Sequence, residues 1–134
     1  MVGLSEIRKS NADYAAQDHS GLVCVFAGAT AGIGAATLRE MVGLVRSSTF
    51  YILGREPHRY QGKLDELKEI GPTNKIVFLE AQISLISGVD KACALIHEAE
   101  EKVDMICVSP GGMPFQGAVC EWTDISFPLV HDSQ

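Results

Sequence analysis

The stretch Leu22-Val-Cys-Val-Phe-Ala-Gly28-Ala-Thr-Ala-Gly32-Ile-Gly34 decides the fold. Leu22 to Ala27 is a continuous apolar run bounded by Gly21 and Gly28, the pattern of a strand buried on both faces in a parallel sheet. A helical period follows from about Ile33 to Arg46, with Ile33, Leu38, Met41, Val42 and Val45 expected to share a face. A glycine turn between such a strand and such a helix lets the backbone approach a pyrophosphate closely. The helix N-terminus then offers free N–H groups and a positive dipole end to the phosphates. Thr30 adds a hydroxyl donor, and Ile33 is placed to pack under the ring system. Gly34 is not followed by Lys-Ser/Thr, so the loop is no P-loop. A plain tight turn is the competing reading of the same glycines.

Outward from this loop, strand-like and helical stretches alternate. Thr49 to Leu53 reads as a second strand ended by Gly54, and Tyr60, Leu64, Leu67 and Ile70 keep helical spacing from His58 onward. Gly71-Pro72 stops that helix. Lys75 to Leu79 is a third strand, and Val89, Cys93, Ile96 and Val103 mark a further amphipathic helix, with His97 on its polar face. Met105 to Val108 is a fourth strand. The series predicts an α/β, Rossmann-like three-layer fold whose parallel sheet has about four strands, in the order 3-2-1-4. Residues 1–20 read as an extension with a modest helical signal from Leu4 to Ala16, residues 21–112 as the dinucleotide-binding domain, and residues 113–134 as an irregular tail.

Length and composition fit this scheme. A chain of 134 residues makes one domain, and 46% hydrophobic with 21% charged residues is a globular composition. A net charge of -6 argues against a nucleic-acid partner, which needs a basic footprint. The lack of a long apolar run or leader-like N-terminus gives the expectation of a cytoplasmic protein without a membrane partner. Cys24, Cys93, Cys107 and Cys120 form no CxxC pair, so reduced thiols rather than a metal site are expected.

The end of the second strand carries the cofactor preference. An NAD site places Asp or Glu there, about twenty residues past the glycines, to bind the ribose 2′-hydroxyl. Here Gly54 occupies that place and Arg55 follows it. A guanidinium suits a 2′-phosphate and favours NADP over NAD, although Glu56 sets a carboxylate one residue further on. A solvated loop arginine is the competing reading.

Four stretches in order give the chain a family likeness: Val25-Phe-Ala-Gly-Ala-Thr-Ala-Gly-Ile-Gly34, Tyr51-Ile-Leu-Gly-Arg55, Ala81-Gln-Ile-Ser84 and Val108-Ser-Pro-Gly-Gly112. Over roughly its first 117 residues the chain resembles the N-terminal half of the short-chain dehydrogenases/reductases, in particular fungal reductases of secondary metabolism. The resemblance implies that Gly28, Thr30, Gly32, Ile33 and Gly34 line the phosphates and Arg55 the 2′-phosphate. It further implies that Gln82 meets adenine in place of the family's Asp, and that Ser109 and Gly111 border the nicotinamide ribose in place of Asn-Asn-Ala-Gly. The implied activity is NADP(H)-dependent hydride transfer between a carbonyl and an alcohol.

The family's catalytic Tyr and Lys lie four apart on one helix face, with a Ser beside them. No tyrosine of this chain precedes a lysine by four. Tyr51 precedes Arg55 by four, but across a strand and its turn, and Tyr60 precedes Lys63 by three in a helix assigned to packing. No catalytic residue is therefore named, and the sheet is expected to be truncated, with an apolar fourth-strand edge open to homo-oligomer formation. Three readings stay open: the N-terminal part of an NADP-dependent reductase, a non-catalytic dinucleotide-binding protein, and an interaction module that uses the sheet edge.

Overall fold

Eight elements follow one another in the computed structural model, which describes residues 2–17 and 19–111. They are α1 (Leu4–Ala15), β1 (Val23–Ala27), α2 (Gly32–Leu44), β2 (Thr49–Gly54), α3 (Pro57–Ile70), β3 (Lys75–Glu80), α4 (Ile86–Ala99) and β4 (Met105–Val108). The four strands form one parallel sheet in the order β3-β2-β1-β4, the predicted arrangement. The tail predicted for residues 113–134 lies outside the described residues.

Side chains alternate across each strand, so the central strands feed two cores. Cys24 and Phe26 of β1, with Phe50 and Ile52 of β2, are fully buried against Leu38 and Val42 of α2 and Tyr60 and Leu67 of α3. The Phe26 and Phe50 rings meet at 6.2 Å between centroids, and burying each ring stabilises the fold by about 1.5–3 kcal/mol. On the other face Val23, Val25, Tyr51 and Leu53 pack against Ala92 and Ile96 of α4. In the first of these cores, burial pushes the Cys24 thiol above its ordinary range, and the Asp104 carboxylate adds to it. Cys24 is thus a small core hydrophobe, as expected.

Polar side chains close the sheet at the N-terminal ends of its strands, with Ser48 and Asn74 buried and Asp104 exposed. The Asn74 amide donates to the carbonyls of Val42 (2.9 Å) and Val45 (3.0 Å), and its oxygen accepts from the Ser48 N–H (3.0 Å). The Ser48 hydroxyl donates to the Arg46 carbonyl (3.0 Å) and accepts from the Leu22 N–H (3.3 Å). The Asp104 carboxylate accepts from the Val23 N–H (2.9 Å) and from Lys102 (2.7 Å). These bonds satisfy backbone groups that the crossovers would otherwise leave bare.

Three expectations are corrected. Ile33 does not share the buried face of Leu38 and Val42: it is 82% exposed, because α2 begins at Gly32 and Ile33 lies in its first turn, at the glycine loop. On α4 the buried residues are Ala92 and Ile96, whereas Val89 and Cys93 are exposed and Val103 lies beyond the helix end. Gly71 ends α3, but at φ -126° rather than in a left-handed cap. A Cβ there would sit 2.6 Å from the Asn74 amide nitrogen, so close packing on the polar cluster requires the glycine. No side chain of α1 is buried, and among the described residues no helix is long and apolar enough to cross a membrane.

Candidate dinucleotide site

The C-terminal ends of the strands form a cleft of about 570 Å³, within the size range of small-molecule sites. The turn after β1 builds its floor. Gly28 has φ +85° and Gly32 φ +63°, left-handed values that glycine adopts without a steric cost. A Cβ on Gly28 would lie 2.3 Å from the Ser109 carbonyl oxygen, so β1 and β4 close on each other only over a bare glycine. A Cβ on Gly34 would meet the Gly28 carbonyl oxygen at 2.6 Å, so the first turn of α2 lies directly on the loop. No side chain caps the N-terminus of α2, and Gly32 and Ile33 of its first turn face the cleft. Uncapped N–H groups and the positive end of a helix dipole thus border the space, an arrangement that favours an anion.

The cleft gathers most of the predicted site residues: Gly28, Thr30, Gly32 and Ile33 from the loop, Arg55 after β2, and Ser109 and Gly111 after β4. Gly34 does not line it, but supports it from beneath. Gln82 does not line it either: its side chain is exposed, and its backbone carbonyl accepts from the Leu85 N–H at 3.0 Å. Ala81, Ile83 and Ser84 line the cleft in its place. Ala81 and Ile83 stand two apart in the quoted stretch, so side-chain alternation could have pointed to Ile83, whereas no such signal marks Ser84.

Two contacts were not foreseen. The buried Tyr60 hydroxyl donates to the Ala29 carbonyl (3.2 Å), and Lys63 Nζ donates to the Thr30 carbonyl (2.6 Å). Tyr60 packs as expected, but Lys63 does not: it ties α3 to the glycine loop. Burial raises the Tyr60 phenol above its ordinary value. The phenol of Tyr51 is committed elsewhere, donating to the Glu100 carboxylate at 2.7 Å. Burial and then Glu100 push it up to about 12. Both phenols are thus held protonated in internal contacts. Among the described residues no three His, Cys, Asp or Glu side chains stand close enough to hold a metal ion.

The strand order defines a class: a parallel α/β domain with the fold of the short-chain dehydrogenases/reductases. Solved structures share it. The L-sorbose reductase of Gluconobacter frateurii, solved with NADPH and L-sorbose, superposes with a TM-score of 0.61 at 20% identity, over 69% of this chain and 34% of that one. A short-chain type dehydrogenase/reductase of Mycobacterium ulcerans superposes at 0.62 with 18% identity, over 72% and 34%. By sequence the chain is related to fungal oxidoreductases. It is 36% identical over 136 residues to oxidoreductase AN1596 of Emericella nidulans, covering all of this chain and 40% of that protein. It is 38% identical over 118 residues to oxidoreductase lepF of Aspergillus flavus, covering 85% and 32%. No family model matches the chain. Fold and relatives together bear out the resemblance: the chain has the fold of the short-chain dehydrogenases/reductases and is related by sequence to fungal oxidoreductases, and it spans 40% and 32% of the length of these two relatives.

Proposed function

We propose that this chain binds NADP(H) as the cofactor-holding region of a reductase that moves a hydride between NADPH and a carbonyl or alcohol. The observation that carries the reading is the glycine cradle: a Cβ at Gly28 or Gly34 would collide with backbone, and the uncapped α2 N-terminus opens on the same cleft. Gly28, Thr30, Gly32, Ile33 and Gly34 would shape the phosphate seat, Arg55 would take the 2′-phosphate, and Ser109 and Gly111 would border the nicotinamide ribose. Gln82 lies outside the cleft, so Ala81, Ile83 and Ser84, which line it, would border the adenine ring in its place. Bound there, the cofactor would supply the hydride. The chain's own residues would hold and orient it, and none of them is assigned as a proton donor. Residues 21–112 form the binding domain in this reading, with 1–20 as an extension. The free thiols of Cys24, Cys93 and Cys107 suit a cytoplasmic setting.

The test is a titration of the chain with NADPH and NADH, followed by cofactor fluorescence. NADPH should bind at least about tenfold more tightly, or about 1.4 kcal/mol, and Arg55→Asp should reverse the order. Equal binding would refute the NADP assignment. A folded sample that binds neither would refute the dinucleotide reading. One observation favours the interaction module as a second reading: Ile106 and Val108 of β4 are each 65% exposed, an apolar strip on the sheet edge through which copies of the chain could pair.

A further inference from the structure

A smaller pocket of about 220 Å³ opens between the glycine loop and the start of α3. Thr30 and Arg55 line both this pocket and the main cleft, so the two meet where the end of β2 faces the loop. The small pocket adds Glu56, Arg59, Tyr60 and Lys63. Three cations against one carboxylate leave it a formal charge of +2.

Lys63 is the cation whose position is fixed. Tyr60 and Lys63 are three apart on α3 and share a face. The Tyr60 ring is buried and held by the Ala29 carbonyl. The Lys63 ammonium lies 5.7 Å from that ring's centroid and donates to the next carbonyl of the loop, that of Thr30. A long surface lysine loses rotamer freedom when it binds a ligand. Here much of that cost is met before any ligand arrives, and two of the three ammonium donors stay available. Arg59 pairs with the Glu56 carboxylate at 2.9 Å and so offsets the one anion of the pocket.

We propose that Lys63 is a second recognition residue for the 2′-phosphate of NADP(H). Anchored on the Thr30 carbonyl, its ammonium takes a phosphomonoester jointly with Arg55, while Arg59 neutralises Glu56. This rests on the NADP(H) reading above and deepens it. A phosphomonoester carries about -1.5 to -2 charges near neutral pH, more than Arg55 alone balances. The 2′-hydroxyl of NADH has no such charge, so Lys63 contributes to it only through the shape of the loop.

That difference separates a phosphate contact from a purely structural tether. The wild-type chain, Lys63→Met and Lys63→Arg are titrated calorimetrically with NADPH, NADH, 2′,5′-ADP and 5′-AMP, and folding of each is checked by thermal unfolding. Lys63→Met should weaken NADPH and 2′,5′-ADP by about tenfold and leave NADH and 5′-AMP within about twofold, the scale of one charge-assisted hydrogen bond. Lys63→Arg should recover most of the loss, since a guanidinium also binds phosphate. An equal loss for all four ligands would overturn the inference and leave Lys63 as a tether of the loop. An NADPH preference that survives Lys63→Met undiminished would overturn it alone, with the NADP(H) reading intact. A wild-type chain with no preference for 2′-phosphate ligands would remove both.

Discussion

The two ends of the sheet are built from the same kind of crossover, yet one is closed and the other open. At the N-terminal ends of the strands, Asn74, Ser48 and Asp104 satisfy carbonyls and N–H groups with their own side chains. At the C-terminal ends the turn after β1 carries Gly28 and Gly32 at positive φ, and α2 starts without a side-chain cap. Polar side chains at the closed end use up the hydrogen bonding that would otherwise recognise a ligand. Glycines at the open end leave backbone N–H groups and a cleft. In the proposed reading the open end binds the cofactor, while the closed end contributes hydrogen bonds to stability.

Gly28→Ala is expected to break the open end most severely. The substitution forces a Cβ against the Ser109 carbonyl at a φ of +85°, and NADPH affinity should fall by about a hundredfold or more, about 2.7 kcal/mol. Calorimetric titration of the folded variant checks this, and undiminished binding would place the phosphates elsewhere. Asn74→Ala should do the reverse. It strands two carbonyls and one N–H, so urea unfolding should show a loss of about 1–3 kcal/mol while NADPH binding by the folded protein is unchanged.

The third prediction concerns pH. Tyr51 has an ordinary value of 10.0, raised to about 12 in the folded chain. A raised folded value means that the unfolded chain releases the proton first. The stability that Tyr51 contributes is therefore full below pH 10 and lost as pH rises towards 12. Chemical denaturation across that window should show the fall, and Tyr51→Phe should flatten it. Asp104 behaves in the opposite sense. Lys102, and then the Val23 N–H, hold it below its ordinary 3.8, so its contribution is present at neutral pH and lost as pH falls through its folded value. The smallest effect belongs to the sheet edge: Ile106→Ser should change stability by less than about 0.5 kcal/mol, as at other exposed positions. It should also reduce self-association in sedimentation experiments, and unchanged association would exclude that edge as the contact.

The open end was the more legible of the two because its signal is local. A buried strand, a glycine turn and a helix start are contiguous, so Gly28, Thr30 and Gly32 could be placed by spacing. The four strands and their order followed from alternation and right-handed crossovers. Helix faces were read less well. Periodicity does not mark where a helix ends, which drew Val103 into α4, and it grouped Ile33 with Leu38, five residues on and about 140° round the helix. Gln82 was placed by the alignment of a motif, whereas the turn after β3 leaves its side chain exposed and brings Ile83 and Ser84 to the cleft. The contacts of Tyr60 and Lys63 with the glycine loop join residues about thirty positions apart, and local pattern carries no trace of such a pair. The closed end was illegible for the same reason, because Asn74 and Ser48 meet only once the sheet is formed.

Amide hydrogen exchange of the chain with and without saturating NADPH tests the division between the two ends most directly. Protection is expected at residues 28–34 and 109–111, where the glycine cradle meets the end of β4, with little change around Ser48 and Asn74. Protection confined to the closed end, or none at saturation in a folded sample, would contradict the assignment of the cleft as the dinucleotide site.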